Sequence, residues 1–418
     1  MATIAKTENI SSKAQRALKK LVSICVDLGT SAIKVVYLID DVLIDYVEIT
    51  PEYKKLPAHS AQHLPIDRAY GLSEDTAWIR YDLDGECHLV GNLAIEYKGF
   101  AAKKTLKWEM AAPKILSAIA IVLERENLAP SQAKLSVLGV LLPPEEMPAT
   151  DELRANLLKL LKVGFYWRDR KFKITVAKGA ICIAAETNGL ILDDLEKYPQ
   201  MSQQVWVYSM SGEKHSTLTT SVRGSLSRIH SDSKDLGFFN LDRMMSEKIP
   251  GWKATDLQAV LSMPKDNRKL DVERYIELND SPTIDWHKLA RLRQAKNIEI
   301  EAQRLESAYQ ESLEQYWFDY RDWLVETAPS PEEIDTIIFA GGTNQLLKPQ
   351  INDYFADCTQ KFWGVHALEV IQILGINERT SSRSSLFLSK NYHVRYADVT
   401  KYLMVLTGYQ PREVLDDE

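Results

Sequence analysis

Cysteine is scarce in this chain of 418 residues: Cys25, Cys87, Cys182 and Cys358 lie far apart, with no CxxC pair and no neighbouring histidine pair. That spacing argues against a disulfide framework and a structural zinc site, and it suits a reducing compartment. No apolar run reaches the roughly eighteen residues of a membrane span, and residues 1–20 lack the apolar stretch of a secretion signal. The expectation is a soluble, cytoplasmic chain. Basic residues are not in excess either. Fifty-one Lys+Arg against 58 Asp+Glu give a net charge of −7, which disfavours a surface built mainly to coat nucleic acid. No repeat with a period of about 20–50 residues is visible, which argues against solenoids and propellers. What is present is the composition of a folded protein, 45% hydrophobic and 26% charged. The length suggests two domains or one bilobed unit.

Residues 1–20 carry Lys6, Lys13, Arg16, Lys19 and Lys20 against Glu8, with Ile10, Ala14, Leu18 and the following Leu21 at helical spacing. Two readings stand for this extension: a basic amphipathic arm able to touch membrane or DNA, and a frayed leader before the first strand. Next, β-branched runs on either side of Gly29-Thr30-Ser31 read as a hairpin, and Val42–Ile49 adds a further apolar stretch. Residues 51–105, with Pro51, Pro57, Pro65 and Gly71, read as a loop-rich insertion outside the core, holding a short hairpin at Asp84-Gly85.

Residues 108–128 have helical periodicity, Leu135–Leu142 reads as a buried strand ending at Pro143-Pro144, and Asp151 is expected to cap a helix running to Val163. Phe172–Ile183 is strand-like. Val205–Tyr208 begins another strand, with Thr217–Val222 as its return partner. From Trp286 to Thr327, the recurrence of Leu305, Tyr309, Leu313, Tyr316, Tyr320 and Trp323 predicts one long helix, or two, packed on a sheet.

Three strand-to-turn junctions carry the candidate chemistry. In Asp27-Leu-Gly29-Thr30-Ser31-Ala-Ile-Lys34, Gly29 permits a tight turn whose N–H groups can face a phosphate, and Thr30 and Ser31 add hydroxyl donors. Asp27 is a candidate ligand for hydrated Mg2+, and Lys34 a point charge for phosphate oxygens. In Ile337-Ile-Phe-Ala-Gly341-Gly342-Thr343-Asn344, paired glycines between a strand and a helix let a ligand approach bare backbone. The third junction, Ser209-Met-Ser211-Gly212, is a strand running into small residues. For each, an ordinary tight turn is the plainer alternative.

In this order and separation, the three resemble the phosphate 1, phosphate 2 and adenosine motifs of the actin-like ATPase superfamily, the first in the series being phosphate 1, Ser209–Gly212 phosphate 2, and Gly341-Gly342-Thr343 adenosine. Within it the chain is most similar to ParM/StbA-type bacterial actins. Leu89-Val-Gly91-Asn-Leu-Ala94 resembles their VGxxA element, Leu138-Gly-Val-Leu-Leu-Pro143 their GLP strand end, and Arg395-Tyr-Ala397-Asp398-Val399 a signature near their C-terminus. The resemblance implies an α/β, bilobed actin-like fold, a duplicated ribonuclease-H-like architecture with a nucleotide cleft between two lobes. Domain I would span 21–183 plus about 376–418, with the insertion at about 51–105, and domain II 184–375.

The same resemblance implies ATP/ADP and Mg2+ as cofactors and Glu186, in Ile183-Ala-Ala-Glu186-Thr-Asn-Gly189, as the group near the attacking water. It further implies self-association into multi-stranded head-to-tail filaments, and an adaptor protein linking them to DNA or other cargo, as in plasmid partition. Direct membrane contact through residues 1–20 is a separate expectation. One departure matters: the phosphate 2 motif normally reads DxGxxT, and here its Asp is Ser209 and its first Gly is Ser211. A serine brings no charge to a metal site, so slowed hydrolysis is expected. The plainer alternative is that the match is shifted by a residue or two and Gly212 alone does the work. A slow or non-hydrolysing scaffold actin is the first alternative. A small-molecule kinase is the second, because sugar kinases share DxGTSxxK.

Overall fold

The computed structural model describes residues 19–66, 72–81, 85–100, 106–253, 257, 261–262, 283–363 and 396–409. Its first sheet opens on an antiparallel meander of β1 (Lys20–Leu28), β2 (Ile33–Ile39) and β3 (Leu43–Ile49). Val22, Ile24, Cys25 and Val26 are all fully buried, so β1 is covered on both faces and reads as a continuous apolar run, without alternation. Asp40 and Asp41 turn the chain between β2 and β3 at φ of 50° and 55°, a left-handed pair that short Asp side chains tolerate. Lys20 pairs with Asp40, and Lys19 Nζ donates to Thr175 Oγ1 at 2.6 Å. Residues 1–18 of the expected N-terminal arm lie outside the described residues.

The segment expected to be loop-rich departs from that reading. It supplies β4 (Tyr53–Leu56), β5 (Trp78–Tyr81), β6 (Cys87–Val90) and the short α1 (Asn92–Glu96). Leu64, Trp78, Cys87, Leu89, Leu93 and Ala94 make a core of their own there. Strands of four residues separated by prolines are too short for a period to show. Gly71 and Asp84 lie outside the described residues. Next come α2 (Ala111–Arg125), β7 (Ala133–Leu142) and α3 (Thr150–Val163). Ala111 to Leu123 of α2 are buried without a break, because the helix packs against β1–β3 on one side and β5 and β6 on the other. Asp151 does not cap α3. Ala149 holds that position, and Asp151 pairs instead with Arg154 at 2.6 Å in the first turn.

The single strand expected over 172–183 is broken up: β8 (Phe165–Trp167) turns into β9 (Arg170–Phe172), which ends at 172, and the short β10 (Thr175–Val176) and β11 (Ile181–Ala185) follow. Gly179, at φ 73°, separates the last two. The order of the first sheet is β3-β2-β1-β7-β10, with β11 also on β7, and the second is β4-β6-β5-β8-β9. β1, β7 and β10 run parallel.

The rest of the chain provides α4 (Asn188–Lys197), β12 (Val205–Ser211), β13 (Ser216–Val222), β14 (Ser225–Lys234) and α5 (Phe238–Lys248). A two-residue ladder, β15 (Leu261–Ser262) with β16 (Thr283–Ile284), precedes α6 (Trp286–Leu292) and the 30-residue α7 (Ile298–Thr327). Then follow β17 (Thr336–Ala340), α8 (Gly342–Leu346), α9 (Lys348–Tyr354), β18 (Gln360–Trp363) and α10 (Ala397–Thr407). The sheet order here is β14-β13-β12-β17-β18. β12, β13 and β14 are antiparallel, and β17 and β18 run parallel to β12. The predicted stripe of α7, from Leu305 to Trp323, is buried in the core over this sheet.

Both sheets therefore have one topology: an antiparallel meander of three strands, followed by two strands parallel to the first. They belong to separate compact units. One takes its described residues from Met1–Leu142, Pro148–Ala184 and Leu406–Glu418, the other from Pro143–Met147 and Ala185–Val405. Among the described residues no helix is long and apolar enough to cross a membrane.

Candidate functional site

In the first unit the hairpin of β1 and β2 places Asp27 directly opposite Lys34, and their side chains form an ion pair that is largely shielded from solvent. The turn between them closes so tightly that a Cβ on Gly29 would stand 2.5 Å from the carbonyl oxygen of Ala32. Only glycine fits there. Thr30 is buried and Ser31 exposed at the tip. The hairpin thus brings Asp27, Gly29, Thr30, Ser31 and Lys34 together. Among the described residues no group of three or more His, Cys, Asp or Glu side chains could enclose a metal. A lone carboxylate beside a lysine suits an ion that keeps its waters and shares a phosphate, as Mg2+ does, and does not suit an all-protein cage.

In the second unit the strand end of β12 and the turn before α8 are locked together. Gly341, at φ 83°, lies against Ser211 so closely that a Cβ would meet its carbonyl oxygen at 2.2 Å. Thr343 Oγ1 donates to the carbonyl of Gly212 at 2.7 Å. Beneath this contact is a buried polar cluster centred on Tyr320 of α7. Its hydroxyl donates to Asn344 Oδ1 at 3.0 Å and lies 2.9 Å from Ser209 Oγ and 3.2 Å from Ser211 Oγ. Asn344 Nδ2 donates to the carbonyl oxygens of Ser209 at 2.9 Å and Ala340 at 3.0 Å. Burial pushes the Tyr320 phenol up, while the two serine hydroxyls pull it down.

The side chains of Ser209, Ser211, Thr343 and Asn344 are therefore engaged inside the unit. Open backbone remains at Gly342, where an added Cβ would meet nothing within 4 Å. The backbone of Gly212 is engaged, its N–H donating to His215 O at 2.9 Å and its carbonyl accepting from Thr343 and from the N–H of Phe238 at 3.1 Å. The β12–β13 turn itself carries His215, whose Nδ1 lies 2.9 Å from Asp235 and 3.5 Å from Glu145. Sequence reading missed His215 and Tyr320. The helical stripe marks Tyr320 as inward-facing but not what its hydroxyl meets.

Glu186 opens the link from β11 to α4 and is 7% exposed, so it is not a solvent-facing residue, and Thr187 holds the N-cap position. Asp398 of α10 does the capping. Its carboxylate accepts the N–H groups of Thr187 at 2.7 Å, Gly189 at 2.9 Å and Leu190 at 3.4 Å. Thr187 is held at φ 75°, and its hydroxyl lies 2.7 Å from that of Thr219 on β13. Gly189 is required by closeness: a Cβ would stand 2.3 Å from Asp398 O. One turn along α10, the fully buried Lys401 reaches Asp193 of α4 at 3.0 Å, and Lys197 shares that carboxylate at 2.9 Å. Burial lowers Lys401 to about 8, with Asp193 opposing the shift. Tyr208 donates to Asp194 at 2.8 Å beside them. Asp398 belongs to the signature read near the C-terminus. Arg395 of that signature lies outside the described residues.

No family model matches the chain, and no curated protein matches its sequence. Solved structures do match its fold. The actin-like protein Alp7A is 14% identical, with a TM-score of 0.53 over 93% of this chain and 96% of its own. An archaeal actin homolog is 14% identical, with a TM-score of 0.52 over 94% and 100%. The apo psk41 ParM protein is 13% identical, with a TM-score of 0.50 over 93% and 99%. Identities this low speak for architecture alone. Together with one strand order used twice, they establish that this chain has the actin-like fold.

Proposed function

We propose that the chain is an ATP-dependent, filament-forming actin-like protein, of the ParM-like DNA-segregating type or a cytoskeletal relative. The observation that carries this reading is the repeated hairpin: each sheet opens with a strand, a tight turn and a returning strand, and the first holds Asp27 and Lys34 as a shielded ion pair. Lys34 would exchange its carboxylate partner for phosphate oxygens, freeing Asp27 to hold Mg2+ through water. The ion would neutralise charge on the triphosphate. Glu186, fixed on a turn that Asp398 caps, would orient or deprotonate the attacking water. Gly342 would offer backbone to the nucleotide. A filament of this kind would reach DNA or other cargo through an adaptor protein.

A slow or non-hydrolysing scaffold is the second reading, favoured by Ser209: it contributes a hydroxyl to Tyr320 and no charge. Light scattering with Mg-ATP, Mg-ADP and no nucleotide tests the first reading, with assembly expected in ATP. A chain that stays monomeric in all three at high concentration removes it. Glu186→Ala separates the two readings. It should bind ATP like the parent and yield longer-lived polymer if the parent hydrolyses, and it should change nothing if the parent does not.

A further inference from the structure

The charge of this acidic chain is not spread evenly. Residues 154–178 hold eight Lys and Arg and one acidic residue, Asp169. Residues 311–335 hold eight Asp and Glu and one basic residue, Arg321. Two stretches of equal length thus carry equal and opposite charge, one in each compact unit.

Each stretch also presents a helix face with exposed apolar side chains among its charges. On α3, Leu158, Lys159, Lys162 and Val163 fall on one face, and Leu158 and Val163 are 44% and 40% exposed. On α7, Glu314, Phe318, Asp322, Val325 and Glu326 fall on one face, with Phe318 and Val325 at 50% and 64%. Single exposed apolar residues are ordinary. Two pairs of them, each set among charges mostly of one sign and opposite to those of the other pair, are not. The exception on α7 is Arg321, whose guanidinium lies 5.3 Å from the Phe318 ring centroid. Lys159 and Lys162 form no salt bridge to a described residue, and neither do Glu314 and Glu326.

Local electrostatics oppose the acidic face. Asp322 and Glu326 are like charges one turn apart. Arg321 reaches Asp322 at 3.7 Å, but Glu326 sits at the negative end of the α7 dipole, where the last turn holds no basic residue. An outside partner of positive charge would relieve that repulsion. We propose that the α3 face of one copy docks on the α7 face of the next, apolar pair against apolar pair with the charges matched around them. The contact joins two different surfaces, so each copy keeps a face for the next, and it rests on the self-assembly reading above. Its charged rim makes association fast and sensitive to salt.

The test uses the full-length chain with Mg-ATP, followed by sedimentation and light scattering. Lys159→Glu with Lys162→Glu makes both faces acidic, and Asp322→Lys with Glu326→Lys makes both basic. Each double variant alone should raise the critical concentration about tenfold or more. Mixed in equal amounts, they should assemble again, because each offers the face the other has lost. Unimpaired assembly of either variant alone, or failure of the mixture where the parent assembles, overturns the contact and leaves the self-assembly reading standing. A parent that never assembles removes both. Loss of duplex DNA binding in the acidic variant, with assembly unchanged, would overturn the contact in favour of a nucleic-acid surface.

Discussion

The carboxylate of Asp398 accepts the backbone N–H of Thr187 at 2.7 Å, tying the last described helix to the turn that bears Glu186. Removing it in Asp398→Ala leaves three buried N–H groups without their acceptor. Stability should fall by about 2–4 kcal/mol, since each unsatisfied buried donor costs about 1–3 and the three relax together. Asp398→Asn keeps one accepting oxygen and should recover part of the loss. Urea denaturation measures both, and a shift below about 0.5 kcal/mol in the alanine variant would contradict the role.

Gly341 and Gly342 are neighbours with opposite tolerances. Gly341→Ala forces a side chain into the Ser211 carbonyl at positive φ, so a loss of about 2 kcal/mol or more is expected. Gly342→Val meets open space and should cost about 1 kcal/mol at most, yet it should weaken ATP binding several-fold if the nucleotide lies on that backbone. Thermal denaturation and a fluorescent ATP analogue separate the two effects. Equal stability losses at both positions would show that the turn is not built as described.

Tyr320→Phe removes the hydroxyl shared by Ser209, Ser211 and Asn344 and should destabilise the protein by about 1–3 kcal/mol. Ser209→Asp restores the carboxylate of the phosphate 2 pattern, but at a position 1% exposed and packed on Tyr320. It should therefore lower stability before it raises turnover. Faster ATP hydrolysis at unchanged melting temperature would mean that position 209 opens to the nucleotide.

Lys401 gives the fold a dependence on pH. Its folded value of about 8 lies below the usual lysine value of 10.5. Between those limits the unfolded chain binds the proton more tightly, so stability rises as pH rises through this window. Lys114, buried in α2 and lowered to about 8 chiefly by desolvation with Lys107 adding to it, acts in the same window. Lys401→Met should flatten the slope of stability against pH without abolishing it. An unchanged slope by urea denaturation at pH 8 and at about pH 10 would reject the assignment.

The hairpin at Gly29, the strand before Gly341 and the stripe of α7 are legible in the amino acids because each combines a long pattern with a glycine that marks its end. The sheet of β4, β5 and β6 is not, since its strands are too short to show a period. At the candidate site the backbone is readable and the side-chain partners are not. Ser209 and Ser211 read equally well as ligand donors or as partners of a distant tyrosine, and only tertiary structure brings Tyr320 to them. Asp398, more than 200 residues from Thr187, carries no local trace of the helix start it closes.

Because one strand order occurs twice, residues of the founding hairpins correspond. Counted back from the turn, Asp27 opposite Lys34 in the first matches Met210 opposite Thr217 in the second. The matching pairs thus differ, a carboxylate and an ammonium in one hairpin and a thioether and a hydroxyl in the other. Damage to Asp27 has no understudy at the matching register of the sister hairpin, whose ionic residues Glu213 and Lys214 lie in its turn.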